Sequence, residues 1–350
     1  MEVIILAAGK SSRYNSERPK HSLYDYKGNM MLETIIKCYI KKFNVNVVLN
    51  NENEIKFPIK NILKKNYSSQ KLKIITLNNF TKGPADSAFQ ALKKLNFKNE
   101  KEILIRDCDS FFNHKNQRGN YVCCYNIIDY MKTQNGNIKN KSYLKLNKLN
   151  YIHQIVEKKI ISNIFSIGGY KFRSQKMYMK HFKSLKNIIK NEIYVSDVIQ
   201  EAIIHGEIFR SNYANNFLDL GTIKEWTEYN NKPVIFCDID GTIVKSQKKN
   251  SYTIINTPLK NNINILKKMI DSGSQIIFVT SRPKSSNRIT NKMLKNLGFK
   301  DYQLISGLNN SARVLINDFN QFNPYPRAIA INIERNTEQL TNFLNKYENK

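Results

Sequence analysis

Two sets of aspartates stand where a strand would deliver carboxylates rigidly to solvent. Asp238-Ile239-Asp240-Gly241-Thr242 follows directly on the apolar run at 234–237. Two carboxylates two residues apart can divide labour there: one attacks phosphorus and the other exchanges a proton with the leaving group. A calcium-type loop is excluded, because no further ligands follow at the spacing such a loop needs. The second set is Asp107 and Asp109 in Arg106-Asp107-Cys108-Asp109-Ser110, after the run at 102–105. Carboxylates at the carboxyl end of a buried strand are poorly placed for stability and well placed for a metal. Mg²⁺ takes hard oxygen ligands, commonly one or two carboxylates plus phosphate oxygens, and Asp109 is the first candidate, Asp107 the second. The opening run at 3–8 enters the turn Leu6-Ala7-Ala8-Gly9-Lys10-Ser11-Ser12-Arg13, and Pro19-Lys20 follows. Small residues in such a turn let backbone N–H groups approach an anion, with Arg13 and Lys20 neutralising a polyphosphate bound across the loop.

The elements that position these residues follow from the apolar pattern. Strand-like runs alternate with helix-length amphipathic stretches: 3–8, then 31–43, then 45–49, with the alternation resuming at 234. That βαβ rhythm predicts α/β architecture with mostly parallel sheets, arranged as two doubly wound Rossmann-like domains. The polar segment 228–233 ends in Pro233, immediately before a new apolar strand. The expected division is a first domain at 1–228, a linker at 229–233 and a small second domain at 234–350. A length of 350 residues agrees with two domains. In the second, about 40 residues separate Asp238 from Thr280, too few for an inserted cap of usual domain size, so its site is expected to be open.

Composition narrows the setting. The 56 basic against 28 acidic side chains give a formal charge of +28. The lysines are scattered rather than gathered in one arm, which fits a solvated cationic surface that attracts anionic substrates better than a nucleic-acid tract. No stretch reaches the ~20 apolar residues of a membrane span. Five cysteines without CxxC spacing exclude a disulfide framework and fit a reducing cytoplasm.

The first half resembles the sugar-phosphate nucleotidylyltransferases, whose opening LAAGxGSR, followed by PK, a glycine and a Leu-Glu pair, is matched by 6–13, Pro19-Lys20, Gly28 and Leu32-Glu33. It departs at Ser11, where the family has glycine. The resemblance implies that Gly83, Pro84 and Ala85, in Gly83-Pro84-Ala85-Asp86-Ser87-Ala88, face the nucleotide with Leu6, Ala7, Ala8 and Gly9. Asp219, in Leu218-Asp219-Leu220-Gly221-Thr222, is similar to the family's late DxGT motif and is implied as a second metal ligand. Val156-Glu157-Lys158 resembles the acceptor-side element, so Lys158 is implied to hold the acceptor phosphate. The segments at 166–170 and 194–199 resemble the strand and helix that follow.

The second half resembles the haloacid dehalogenase superfamily of aspartyl-phosphate phosphatases. The likeness extends from Asp238-Ile239-Asp240-Gly241-Thr242 to the strand-like run 276–279 with Thr280-Ser281-Arg282-Pro283, and to a run at 314–316 with Asn317-Asp318. It implies Asp238 as nucleophile, Asp240 as acid and base, Thr280 on the phosphoryl group, and Asp318 on Mg²⁺ beside Asp238 and Asp240. For the phosphate-binding lysine, Lys292 and Lys295 are the candidates, with Lys292 preferred. Asn317 stands where a second acid is common.

These readings predict a bifunctional enzyme of activated-sugar or activated-polyol biosynthesis for surface polysaccharide. The first domain would transfer a nucleotidyl group, CTP favoured with UTP or dTTP open, to a sugar or polyol phosphate with release of pyrophosphate. The second would be a Mg²⁺-dependent phosphatase, and a homo-oligomer is compatible with both. The alternatives are a working transferase with a catalytically idle docking domain, and a nucleic-acid end-processing phosphatase, which lacks the support of any nucleic-acid-binding motif.

Overall fold

The computed structural model describes residues 1–11, 14, 18–67, 70–134, 136–189, 191–246, 256–317 and 328–344. The chain separates into two compact units, Met1–Asn230 and Asn231–Lys350.

The first unit opens with β1 (Glu2–Leu6), α1 (Met31–Tyr39), β2 (Asn44–Asn50), α2 (Asn51–Lys56), α3 (Ile59–Asn66), β3 (Leu72–Leu77), α4 (Pro84–Leu95) and β4 (Ile103–Asp107). It continues through β5 (Ser110–Asn113), β6 (Asn120–Asn126), α5 (Ile127–Thr133), β7 (Ser142–Leu146), β8 (Tyr151–Glu157) and β9 (Ile164–Phe172). It closes with α6 (Gln175–Lys186), α7 (Val195–Ile204), β10 (Phe209–Tyr213), β11 (Asn215–Asp219) and α8 (Ile223–Asn230).

β1 is a run of aliphatic residues buried on both faces, as a central parallel strand must be. Its Ile4 and Leu6 enter one apolar cluster with Phe89 of α4, Phe182 of α6 and Val198 of α7. Val3 and Ile5 enter another with Ile35 and Ile36 of α1 and Leu63 of α3. Helices therefore cover both faces of one sheet, the doubly wound arrangement expected from the alternation.

The strand order is β3-β2-β1-β4-β9-β6-β10-β8-β7. β3, β2, β1 and β4 are parallel, but β9 runs antiparallel to both β4 and β6. This half of the sheet departs from the mostly parallel expectation. β7 and β8 are joined by a connection too short for a crossover, and they pair antiparallel. A separate two-stranded ladder of β5 and β11 sits at the carboxyl end of β4. It carries Asp219 opposite Ser110.

The second unit contains β12 (Val234–Cys237), α9 (Lys260–Asp271), β13 (Gln275–Val279), α10 (Asn287–Asn296), β14 (Gln303–Ile305) and α11 (Leu340–Leu344). Its parallel sheet has the order β12-β13-β14 and packs Cys237, Ile276 and Phe278 against Leu266 and Met269 of α9, Leu294 of α10 and Leu340 of α11. The strand expected at 314–316 is not formed: Val314 is 80% and Ile316 91% exposed, and the segment joins no ladder. A short apolar run acquires strand geometry only through a pairing partner, which periodicity alone does not supply. Among the described residues no helix is long and apolar enough to cross a membrane.

Candidate functional site

In the first unit the chain leaves β1 into the small-residue turn. The amide of Ala7 bonds the carbonyl of Val48 at 2.9 Å, so the sheet consumes that donor, and Leu6, Ala7 and Ala8 are buried. The turn opens at Gly9, which is exposed and has no atom within 4 Å of where a Cβ would stand. Ser11 adopts φ 55°, the left-handed region that glycine occupies at no steric cost. Its hydroxyl accepts the Lys20 amide at 3.2 Å, tying the two ends of the loop together. Arg13 lies outside the described residues.

Lys20 Nζ reaches Asp109 Oδ2 at 2.5 Å, and both side chains are about 15% exposed. Asp109 is held through its own backbone, whose carbonyl accepts the Leu220 amide at 2.8 Å. Asp219 therefore emerges beside it, one residue before Leu220 on the neighbouring strand. The Asp219 carboxylate accepts the hydroxyl of Tyr130 at 2.9 Å and an ion pair from Lys141 Nζ. A cavity of about 270 Å³ beside it is lined by Asn137, Asn140, Lys141, Asp219, Gly221, Thr222 and Glu225. A larger depression of about 710 Å³ around Tyr125 and Tyr213 contains Asp129 as its one charged residue and lies apart from this chemistry.

Asp107, at the end of β4, has its pKa raised to about 6. Burial is the main cause and the Asp109 charge adds to it, against the pull of Arg106 and Lys20. Arg106 is the buried clamp of this loop. Its guanidinium donates to the Gly168 carbonyl at 2.7 Å, the Ser110 carbonyl at 2.8 Å and Tyr39 Oη at 3.0 Å, and it lies 3.8 Å over the Phe112 ring.

The β7–β8 hairpin brings two lysines to one end. Ser142 pairs with Glu157, and the amide of Lys158 bonds the Lys141 carbonyl at 2.9 Å. Glu157 accepts hydroxyls from Ser142 and Ser196, while Lys158 Nζ meets Tyr194 Oη at 2.5 Å and sits over its ring. Lys141 is not among the candidates that the sequence offers. Only the hairpin register, opposite the identified Lys158, points to it.

Gly83 starts α4 with φ 116°, and a Cβ there would stand 2.7 Å from the Ile193 carbonyl. Pro84 occupies the first helical turn, where its missing N–H costs nothing. Ala85, expected to face a nucleotide, has both its backbone groups engaged within the protein. Its amide bonds the Ile193 carbonyl at 3.2 Å, its carbonyl accepts Tyr178 Oη at 2.8 Å, and it is fully buried. These bonds lock the loop in place.

In the second unit Cys237 of β12 lies opposite Phe278 of β13, so Asp238 and Thr280 leave the same edge of a parallel sheet. Gly241, with φ 92°, makes the turn after Asp240, and its amide bonds the Val244 carbonyl at 2.7 Å. Asp238 is 45% exposed, 3.9 Å from Arg313. Its pKa is raised, by burial first and by Asp240 as well, against the Ile239 amide and the charges of Arg313 and Arg335.

Asp240 is gripped by Arg282, whose Nε and Nη2 each donate to one carboxylate oxygen at 2.7 Å. The same guanidinium reaches Thr290 Oγ1 at 3.3 Å, and the buried Thr280 hydroxyl accepts the Arg282 amide at 3.2 Å. Lys292, expected as the phosphate-binding cation, is exposed, and the α10 face that meets Arg282 consists of Thr290 and Met293. The sequence offered lysines where a helix was expected, whereas the cation beside Asp240 comes from the turn after β13. Asp318 lies outside the described residues.

Hard carboxylate oxygens beside lysines, at the crevice end of a sheet, suit Mg²⁺ together with phosphate oxygens at Asp109 and Asp219. Comparisons with known proteins agree with this architecture. Residues 235–348 match the haloacid dehalogenase-like hydrolase family. By structure the chain is similar to the nucleoside-diphosphate-sugar pyrophosphorylase from Vibrio cholerae RC9, with a TM-score of 0.55 and 20% identity, over 65% of this chain and 98% of that one. It is also similar to the inositol-1-phosphate CTP transferase from T. maritima, with a TM-score of 0.50 and 18% identity, over 64% of this chain and 90% of that one. At such identities the likeness is one of fold. By sequence it is similar to the bifunctional enzyme IspD/IspF of Pelagibacter ubique (strain HTCC1062), 38% identical over 106 residues. That alignment takes in 30% of this chain and 26% of the relative, so the chain spans about a quarter of the relative's length. The chain joins a nucleotidyltransferase-like fold to a haloacid dehalogenase-like domain.

Proposed function

We propose that the chain is a bifunctional enzyme. Its first unit transfers a nucleotidyl group, CTP being the favoured donor, to a sugar or polyol phosphate, and its second hydrolyses a phosphomonoester of the same pathway. What supports the first activity is the pair Asp109, in the turn between β4 and β5, and Asp219, at the end of β11, with Lys20 paired to the first and Lys141 to the second. Bound Mg²⁺ would supply charge neutralisation at the α-phosphoryl group and the departing pyrophosphate.

The chain's own residues do the rest. Lys20 and Arg13 bind the triphosphate, and Lys158, braced by Tyr194, holds the acceptor phosphate, one of whose oxygens attacks the α-phosphorus in line. Asp109 and Asp219 are the residues that would hold the metal, with Lys20 and Lys141 turning to phosphate. In the second unit Asp238 attacks phosphorus, Asp240 protonates the leaving alkoxide, and Asp240 then takes a proton from the water that opens the aspartyl phosphate. Thr280 orients the phosphoryl group, and Asp238, Asp240 and Asp318 are the residues that would hold Mg²⁺.

The reading is tested by offering four nucleoside triphosphates against sugar and polyol phosphates and following pyrophosphate release. One pair, with CTP as donor, should dominate, and Asp109→Asn should lower its rate by at least about a hundredfold. Absence of pyrophosphate from every pair, or a variant within a few fold of wild type, overturns it. One observation favours a second reading, an idle docking domain: both oxygens of Asp240 are engaged by Arg282. A phosphomonoester panel separates the two, since turnover of no ester selects docking.

A further inference from the structure

A second cluster of ligating side chains lies on helices away from the aspartates of the nucleotidyl site. His181 comes from α6, while Glu201 lies in the last turn of α7 and His205, four residues on, caps its carboxyl end. One ligand atom from each of the three lies within 4.8 Å of the other two, the one such trio of His, Cys, Asp or Glu among the described residues.

We propose that His181, Glu201 and His205 bind a divalent transition-metal ion of the zinc class, which pins α6 to the carboxyl end of α7. Two imidazoles and a carboxylate select Zn²⁺, Co²⁺ or Ni²⁺ over Mg²⁺, whose preference is for oxygen alone. The ring geometry agrees. Two imidazoles sharing one tetrahedral ion at ordinary zinc–nitrogen distances have centroids about 5.2 Å apart. His181 and His205 stand at 5.6 Å with their planes at 46°. Stacked packing would bring the planes near parallel, whereas a tilt lets a nitrogen of each converge on one point. His205 Nδ1 is 3.4 Å from Glu201 Oε1 and 2.9 Å from the Glu201 carbonyl oxygen, so the helix turn orients the ring. With Nδ1 donating to that carbonyl, Nε2 is the nitrogen left to ligate, as is common for a ligating imidazole.

Accessibility is graded as an ion would need it. His181 is buried, Glu201 has a side chain 14% exposed, and that of His205 is 53% exposed and opens the cluster to solvent. Burial, with Lys180 and His205 adding to it and Glu207 and Glu201 opposing, lowers the pKa of His181. The nearby carboxylate of Glu207 is engaged by Arg173 at 3.0 Å, so the protein offers three donors and leaves a position for water. The other end of α7 begins beside Tyr194, which holds Lys158, about 15 Å away along the helix axis. An ion at the cluster would stiffen the helix that carries the acceptor side of the site without touching substrate, and the inference stands whether or not the proposed reaction is correct.

The test uses the full chain stripped with chelator and dialysed. Co²⁺ is added and the visible absorption of four-coordinate cobalt is followed, then Zn²⁺ is used to displace it. One equivalent should give the intense tetrahedral spectrum and raise the melting temperature of the first unit by about 5 °C. His205→Asn, a change at a half-exposed position that leaves the core intact, should weaken binding by about a hundredfold, and Glu201→Gln by at least tenfold. The double variant Asp109→Asn/Asp219→Asn should retain the spectrum. A weak octahedral spectrum in the parent protein, an undiminished one in His205→Asn, or its loss in the aspartate double variant would each overturn the assignment.

Discussion

Asp238 and Asp240 are two residues apart and share one proposed reaction, yet the structure assigns them opposite consequences for stability. The Arg282 side chain is 1% exposed and that of Asp240 is 23% exposed, with two bonds of 2.7 Å between them. Asp240→Asn keeps the volume but removes the charge and turns one acceptor into a donor facing a guanidinium N–H. The guanidinium retains Thr290, the Met293 sulfur and one bond to the remaining amide oxygen, and loses the second bond and the opposite charge. Removing one partner of such a buried pair costs about 3–5 kcal/mol. Asp238 is 45% exposed and its ion pair with Arg313 spans 3.9 Å, a contact worth at most about 1 kcal/mol. Burial already disfavours its charge, so Asp238→Asn should be neutral or slightly stabilising.

A gap of about 3 kcal/mol between the variants corresponds to roughly 10 °C in the melting temperature of a unit this size. Calorimetry of the full chain, with the fluorescence of the single tryptophan, Trp226, reporting the first unit as internal control, reads it directly. Both variants should lose phosphatase turnover, so activity does not separate them. The double variant Arg282→Met/Asp240→Leu should recover most of the lost stability, because an apolar pair replaces a buried ionic one at little cost. Melting of Asp240→Asn within 3 °C of Asp238→Asn, about 1 kcal/mol, would refute the reasoning.

Further outcomes follow from the first unit. Gly168→Ala should cost about 1–3 kcal/mol and impair transfer, because its φ is 83° and the new Cβ would stand 2.5 Å from Asp107 Oδ2. Gly119→Ala, at φ 79° but in open space, should cost about 1 kcal/mol in urea titrations and leave the rate unchanged. Burial pushes the pKa of His21 down to about 3, with Lys20 adding, and that of His114 down to about 4, with Arg106 adding. Since the unfolded imidazole titrates near 6.5, the unfolded state binds more protons, so this stability is present above about pH 6.5 and is lost as pH falls towards 3. The urea midpoint of the parent should drop more between pH 7 and pH 4.5 than that of His21→Gln, and equal drops would remove His21 as a cause. A chain ending at Asn230 should keep nucleotidyl transfer, and insolubility or inactivity of that fragment would show that the first unit needs the second.

The local sequence determined a good deal. Aliphatic runs specified the strands, since a buried parallel strand such as β1 needs apolar side chains on both faces, and 234–237 forms a strand with the predicted bounds although Val234 and Phe236 stay exposed at the edge of its sheet. Short motifs with chemistry of their own were also readable, because Asp238 and Asp240 need only a strand end to be displayed together. The tertiary structure decided everything that depended on register between distant segments. Asp219 stands beside Asp109 through the β5–β11 ladder, and Lys141 joins them through the β7–β8 hairpin. Arg282, read in the sequence as one letter of a motif, becomes the partner of Asp240, and Lys292 is turned away by the helical period of α10. The run at 314–316 shows the same limit from the other side, being apolar enough for a strand and unpaired in the fold. A side chain's type is a local property, but its partner is chosen by contacts hundreds of residues apart in some cases and tens in most, and no single segment carries that information.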